Sequence, residues 1–427
     1  MKRIILAAIV AVASAAAGTA SPLILDRDAA VELALENNAD FLVSGIELET
    51  AARRDRNAWN AFLPNLSAGV SLNRSTETAW NSGASVSMSL PISAGLGYSI
   101  RQIAQDYEDA RITYETARRE LIALVEKEFA ELLADEESIA IEQANLDLSR
   151  ARYDESRQLY EAGLTSELTV LQARVSAANL EPTYLQTVAD FESRVREFLI
   201  VLGLDPDTEI SLEGNLESDV REFDAGRLIE RYLSGRPDIR VLELAVEAAR
   251  TEKSLSVTGT RTPSLGISAG WSLGIGNPFE AASWDSGTWS DSFSVGLSLS
   301  VPLDGFIPGS SDALTIAAAD DEILKASIRL AQGIEEARAE ILNLVAQLDT
   351  SAASMELSAL NVELAERNSQ LSEESYRRGI VDRLEAEDAQ NAYFSAKRDY
   401  LVSQSAYLSA LIDLRVALGI DDWGELD

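Results

Sequence analysis

Two spacings of apolar residues alternate along this chain, and the alternation is run through twice. Ala29, Ala30, Leu33, Ala34 and Leu35 share one face of a helix, and in the second half Leu228, Ile229, Tyr232 and Leu233 do the same. Each helix is expected to extend to a proline, Pro64 or Pro263, because proline lacks the amide that the next helical turn requires. Past each proline the period falls to two. Leu66, Ala68, Val70 and Leu72 alternate with Ser67, Gly69, Ser71 and Asn73; Val86, Met88 and Leu90 alternate with Ser85, Ser87 and Ser89. The second half repeats this in Leu265, Ile267, Ala269, Trp271 and Leu273, then in Phe293, Val295, Leu297, Leu299 and Val301. The pattern predicts two β-hairpins, 66–92 and 265–303. Each has one apolar face and one face of small polar residues, as in a strand between lipid and an aqueous lumen. Half-buried soluble sheets alternate in the same way, so context has to decide. About nine residues at ~3.3 Å each span roughly 30 Å, the thickness of the hydrocarbon layer.

The remainder is helical. From about Arg101 to Tyr160 and from about Leu314 to Tyr376 there is no proline and little glycine. Leu330, Ile334, Ala337, Ile341, Leu344 and Leu348 follow steps of three and four, continued by Met355, Val362 and Ala365, which is a coiled-coil seam. Sixty residues of helix extend about 90 Å. Gly163 and Gly379 interrupt these helices, which resume and return to Leu202 and Leu418, giving helical hairpins over 101–203 and 312–419. Pro182 is expected to kink the first return helix.

The two halves are copies. Asn38-Ala39-Asp40-Phe41 matches Arg236-Pro237-Asp238-Ile239 at an offset of 198, and Pro64-Asn65-Leu66 matches Pro263-Ser264-Leu265 at 199. Ser89-Leu90-Pro91-Ile92 matches Ser300-Val301-Pro302-Leu303 at 211. Tyr160–Leu164 matches Tyr376–Ile380 at 216, as Leu202–Asp205 matches Leu418–Asp421. The matches keep one order and the offset only rises, so two repeats, 21–204 and 224–427, flank a connector, 205–223. The jump of twelve between the second and third matches gives the second hairpin the longer loop. The hairpin tips are expected at about Arg74 to Gly83 and Gly276 to Ser290, with Trp80, Trp284 and Trp289 in them.

Composition narrows the setting. Lys2 and Arg3, an apolar run from Ile4 to Val12 and small residues up to Ala20 form a secretory signal peptide, 1–20. No later stretch looks long and apolar enough for a membrane helix, so a mature chain that spans a membrane must do so with strands. Four strands cannot close a barrel without exposing backbone edges to lipid, so membrane strands would have to be pooled between copies. The chain has no cysteine and no histidine. Disulfides and thiolate metal sites are excluded, and the commonest general base is missing, which disfavours an enzyme; no cofactor is implied. A formal charge of −34 repels nucleic acid.

Asp26 to Asn37 (DRDAAVELALEN), the strand-ending Pro91 and Val301-Pro302-Leu303-Asp304-Gly305, and the two Tyr-x-x-Gly turns resemble the TolC-like outer-membrane efflux protein family. The most specific piece is Tyr160 to Ala173, YEAGLTSELTVLQA. The resemblance covers the mature chain and implies a mainly helical fold with a β-barrel part. In that fold three chains share a twelve-stranded barrel in the outer membrane, continued by an α-helical tunnel in the periplasm. It implies a passive duct of a tripartite efflux or type I secretion system. Its partners would be a periplasmic adaptor and an inner-membrane transporter of RND or ABC type. Carried over, Gly163, Leu164, Thr165, Gly379, Ile380 and Val381 would be adaptor-docking turns, and Glu385 and Asp388, with Tyr376, would form the channel aperture. One departure stands out. The family's charged latch pairs a basic residue two positions after the second glycine with an acidic residue six after the first, and these positions are Val381 and Thr169 here. The competing readings are a periplasmic coiled-coil adaptor or structural envelope protein without a pore, and an envelope enzyme.

Overall fold

The computed structural model describes residues 22–74, 80–216, 220–285, 287 and 289–421; the signal segment lies outside them. In chain order the first copy contains β1 (Leu23–Leu25), α1 (Arg27–Asn37), α2 (Ala39–Arg56), β2 (Asn65–Arg74), β3 (Trp80–Ser93), α3 (Leu96–Glu161) and α4 (Glu167–Val201). Then follow β4 (Ile210–Leu212), α5 (Ala225–Tyr232), α6 (Pro237–Arg261), β5 (Ser264–Gly276), β6 (Ser290–Ser300), α7 (Ser311–Arg377) and α8 (Arg383–Leu418).

The opening helices are each split, where one run was expected. Asp26 caps α1 by accepting from the Ala29 amide at 2.7 Å. At Asn38 the backbone turns extended, and the side chain holds the break from both sides: Oδ1 accepts from the Phe41 amide and Nδ2 donates to the Val201 carbonyl. In the second copy the break falls at extended Arg236, and Pro237 starts α6 where its missing amide costs nothing. The first copy also inserts a 3-10 turn, Ala58–Phe62, before Pro64. Pro182 lies inside α4, which runs uninterrupted from Glu167 to Val201, so the expected kink is not a break. The connector is more than a linker, because β4 pairs in parallel with β1.

The chain forms two compact units that do not follow the two copies. One holds the chain up to Leu42, Ala117–Leu228 and everything from Ile341; the other holds Val43–Thr116 and Ile229–Glu340. The first unit has a core of Ala130, Ala134, Ile141, Leu216 and Leu401, with Leu133, Phe394 and Leu408 against it. Tyr407 is fully buried, its hydroxyl accepting from the Arg221 amide. Ion pairs join α3 to its neighbours: Lys127 to Asp413, Arg415 to Glu126 and Arg398 to Glu142 toward α8, and Arg194 of α4 to Glu131 and Asp135. By length and composition α8 is apolar enough to cross a bilayer, contrary to the expectation that no such stretch follows the signal. Its apolar residues have another use here: Leu401, Tyr407, Ala410 and Leu414 are buried inside the protein.

The second unit carries a four-stranded antiparallel sheet in the order β2-β3-β5-β6. Trp80–Gly83 pair with Ser71–Arg74 inside the first hairpin. Its tip is therefore shorter than expected and falls at 75–79, outside the described residues. In the second hairpin β6 stops at Ser300, before Pro302, which has no amide to give to a ladder. The longer connection is ordered by its own bonds: the Trp284 and Trp289 indoles donate to the Pro278 and Ser283 carbonyls, and Trp80 packs edge-on against Phe279. The apolar face is bare to an unusual degree. Val70 is 87% exposed and Leu297 74%.

Candidate functional site

The two helical turns are built alike, and each is built from its sequence. At the end of α3 the Gly163 amide donates to the Tyr160 carbonyl and the Leu164 amide to the Leu159 carbonyl, both at 2.8 Å. That crossed pair, closed by a residue in the left-handed conformation (Gly163 φ +73°), is a Schellman stop. At the end of α7, Gly379 (φ +73°) donates to Tyr376 and Ile380 to Ser375 in the same arrangement. Three residues past each glycine a side chain starts the return helix. Ser166 accepts from the Thr169 amide at 3.3 Å, and Asp382 accepts from the Glu385 amide at 2.9 Å.

Of the six turn residues, Leu164 and Ile380 are the most outwardly placed apolar ones, 75% and 70% exposed, while Thr165 and Val381 are half-buried. Glu385 and Asp388 are both exposed, while Ala386 and Ala389 beside them on α8 are buried. Among the described residues neither carboxylate forms an ion pair. Tyr376 is joined to them by no bond among the described residues. It lines a cavity of about 200 Å³ with Arg152, Ser156, Glu373 and Arg383.

That cavity contains residues the sequence reading missed. Arg383 donates through Nη1 to Ser156 Oγ at 2.5 Å and through Nε to Glu387 Oε1 at 2.7 Å. Arg152 donates to Glu373 at 3.2 Å, and Arg377 approaches the same carboxylate. Ser369 Oγ meets Gln390 Oε1 at 2.8 Å. These bonds tie the start of α8 to the ends of α3 and α7. Ser156 and Arg383 are 227 positions apart, so no local pattern joins them. One signal was available: four residues beyond the turn glycine the first copy has Glu167 and the second Arg383, a reversal of charge at equivalent positions.

The arrangement of split opening helices, paired hairpins and glycine-stopped helical hairpins can be compared with known proteins. The family profile described as outer membrane efflux protein matches residues 30–193 and 228–420. The chain belongs to the outer membrane efflux protein family. The two matched stretches leave out the connector, and within each lies one hairpin pair. Search among curated proteins found no match. Solved structures share the fold of this efflux protein at low identity. The CmeC outer membrane channel of Campylobacter jejuni superposes with a TM-score of 0.75 at 17% identity, covering 92% of this chain and 85% of that one. The outer membrane protein VceC of Vibrio cholerae gives 0.72 at 19%, covering 92% and 96%. The open state of the MtrE outer membrane channel of Neisseria gonorrhoeae gives 0.72 at 18%, covering 92% and 89%. The efflux protein therefore has the channel role of its family in the outer membrane, with the helical tunnel in the periplasm.

Proposed function

We propose that three copies of this chain pool their sheets into one barrel and form a passive export duct, and that the two turns are where a periplasmic adaptor docks. The observation that carries the reading is the sheet itself. It has an apolar face open to its surroundings and two outer strands, β2 and β6, each with one edge unpaired among the described residues. A lipid-facing sheet cannot leave such edges open; a second and third copy supply the missing neighbours. Gly163, Leu164 and Thr165 on one turn and Gly379, Ile380 and Val381 on the other offer the adaptor a small, apolar, sharply folded tip. An inner-membrane transporter of RND or ABC type, reached through that adaptor, would supply the energy. The duct needs no catalytic group, and residues 1–20 would be removed on export.

Threefold symmetry would turn Glu385 and Asp388 into two rings of three carboxylates at the aperture. Three residues apart on one helix, they lie on one face, and rings of acidic side chains favour cations in other pores. With Val381 and Thr169 in the latch positions, the bonds of Arg383 to Ser156 and of Arg152 to Glu373 would hold the mouth instead. Single-channel recording in planar bilayers tests this. Glu385→Gln with Asp388→Asn should conduct with reduced cation selectivity. Unaltered selectivity would move the aperture elsewhere and leave these carboxylates as solvated surface.

A further inference from the structure

One face of the four-stranded sheet carries no charge anywhere. Along β2, β3, β5 and β6 every position of that parity is Ser, Gly or Asn, except Pro91. Ser67, Ser87, Gly270 and Ser294 stand in one cross-strand row, and Gly69, Ser85, Ser272 and Ser292 in the next. A quarter of the chain is charged, so the absence is a property of this face. Among the described strand residues the two charges, Arg74 and Asp291, sit near the loop ends and on the opposite parity. Two pairs of the hydroxyls also bond to one another. Ser67 and Ser87 are 2.6 Å apart and Ser272 and Ser292 2.8 Å. Where a glycine faces a serine the hydroxyl lies over it: a Cβ on Gly266 would come within 2.6 Å of Ser298 Oγ, and one on Gly296 within 2.8 Å of Ser268 Oγ. The surface is neutral and made of small polar groups.

We propose that this face is the lumen wall of the barrel and that it passes cargo without sorting it by charge. Anionic, cationic and uncharged solutes would cross it alike, and any discrimination would be made at the acidic helical end. The reading rests on the pooled barrel proposed above. Its physical basis is screening: at physiological ionic strength charges more than about 8 Å away are largely hidden, so a neutral stretch of wall sets its own local potential.

The chain has no cysteine, so an introduced thiol is the sole target for thiol reagents. Full-length Ser87→Cys, and separately Ser294→Cys, would be placed in planar bilayers and treated from the hairpin side with cationic and anionic methanethiosulfonates. Both thiols should react and lower the conductance. After each rate is divided by that reagent's rate with a free thiol, the cationic and anionic values should agree within about twofold, whereas three carboxylates about 10 Å away would separate them by roughly fourfold. Adding Ser272→Asp to Ser87→Cys supplies such a ring and should produce that separation, which shows that the assay can detect one. A cationic preference of that size in Ser87→Cys alone would overturn the proposal. So would reaction at Val86→Cys with both serine positions inert, since the faces would then be reversed. A wild-type protein that never conducts would defeat the channel reading itself, and the wall with it.

Discussion

Among the described residues four glycines end helices with the same left-handed turn, at positions 163, 203, 379 and 419, but their surroundings differ. A Cβ at Gly163 or Gly379 would meet nothing within 4 Å, while one at Gly203 would lie 2.6 Å from the carbonyl carbon of Asn37, at the break between α1 and α2. Gly163→Ala or Gly379→Ala should therefore cost only the left-handed penalty, about 1–2 kcal/mol. Gly203→Ala adds the clash, for a total of about 2–4 kcal/mol. Thermal melts in detergent should rank Gly203→Ala lowest in Tm; equal losses at all three would deny the close approach. Replacing Gly163 or Gly379 by valine should weaken cross-linking to the adaptor while the assembly survives; unchanged cross-linking and export would remove the turns from docking. A second residue-scale device lies between α3 and α4. Arg194 is shared by Glu131, Asp135 at 2.5 Å and Glu128 at 3.8 Å, so one cation faces three carboxylates, with Asp190 and Glu197 nearby. Burial, ahead of the neighbouring carboxylates, raises the pKa values of Glu128 and Asp135 above the ordinary range. A raised carboxylate binds its proton more tightly in the folded state, so stability should increase as pH falls from neutral toward the ordinary carboxylate range. Glu128→Gln removes part of that dependence. It should raise Tm at neutral pH and flatten its rise toward pH 5. A lower Tm at neutral pH would mean that Arg194 needs all three partners.

At the scale of the elements, the seam of α7 decides which positions matter. Ile341 and Leu348 are fully buried, and Leu342, one residue along, is 48% exposed. Ile341→Ala should cost about 2–5 kcal/mol through the lost contacts and the cavity left behind, while Leu342→Ala should stay within about 0.5 kcal/mol. Equal effects would contradict the seam, and comparison of the two melts reads it directly. This seam was legible in the sequence, because alternating steps of three and four survive whatever the helix packs against. The strands were legible for a similar reason: Ser and apolar residues alternate too regularly for a helix. What failed was local. The breaks at Asn38 and Arg236 interrupt runs whose apolar spacing continues through them, and only the caps reveal them. The pairing of β4 with β1 joins three-residue segments too short to show a period. At the turns, Gly163 and Gly379 were found from the sequence because a helix stop needs a local signal. The Arg383–Ser156 bond was not, because it needs a fold to bring two distant helices together.

At the scale of the whole molecule, one chain is an incomplete object. It carries an apolar sheet face with Val70, Phe293, Val295 and Leu297 open. It carries two strand edges that nothing among the described residues pairs. Against these stands a formal charge of −34, which keeps long helical surfaces in water and does nothing for the sheet. Membership of the outer membrane efflux protein family accounts for an apolar sheet face, and the proposed association of three copies would account for the edges. Light scattering of the detergent-extracted, conducting protein is the most direct test. The account predicts a protein mass near that of three chains once bound detergent is subtracted. A particle of one chain in mild detergent that still forms pores would contradict the shared barrel.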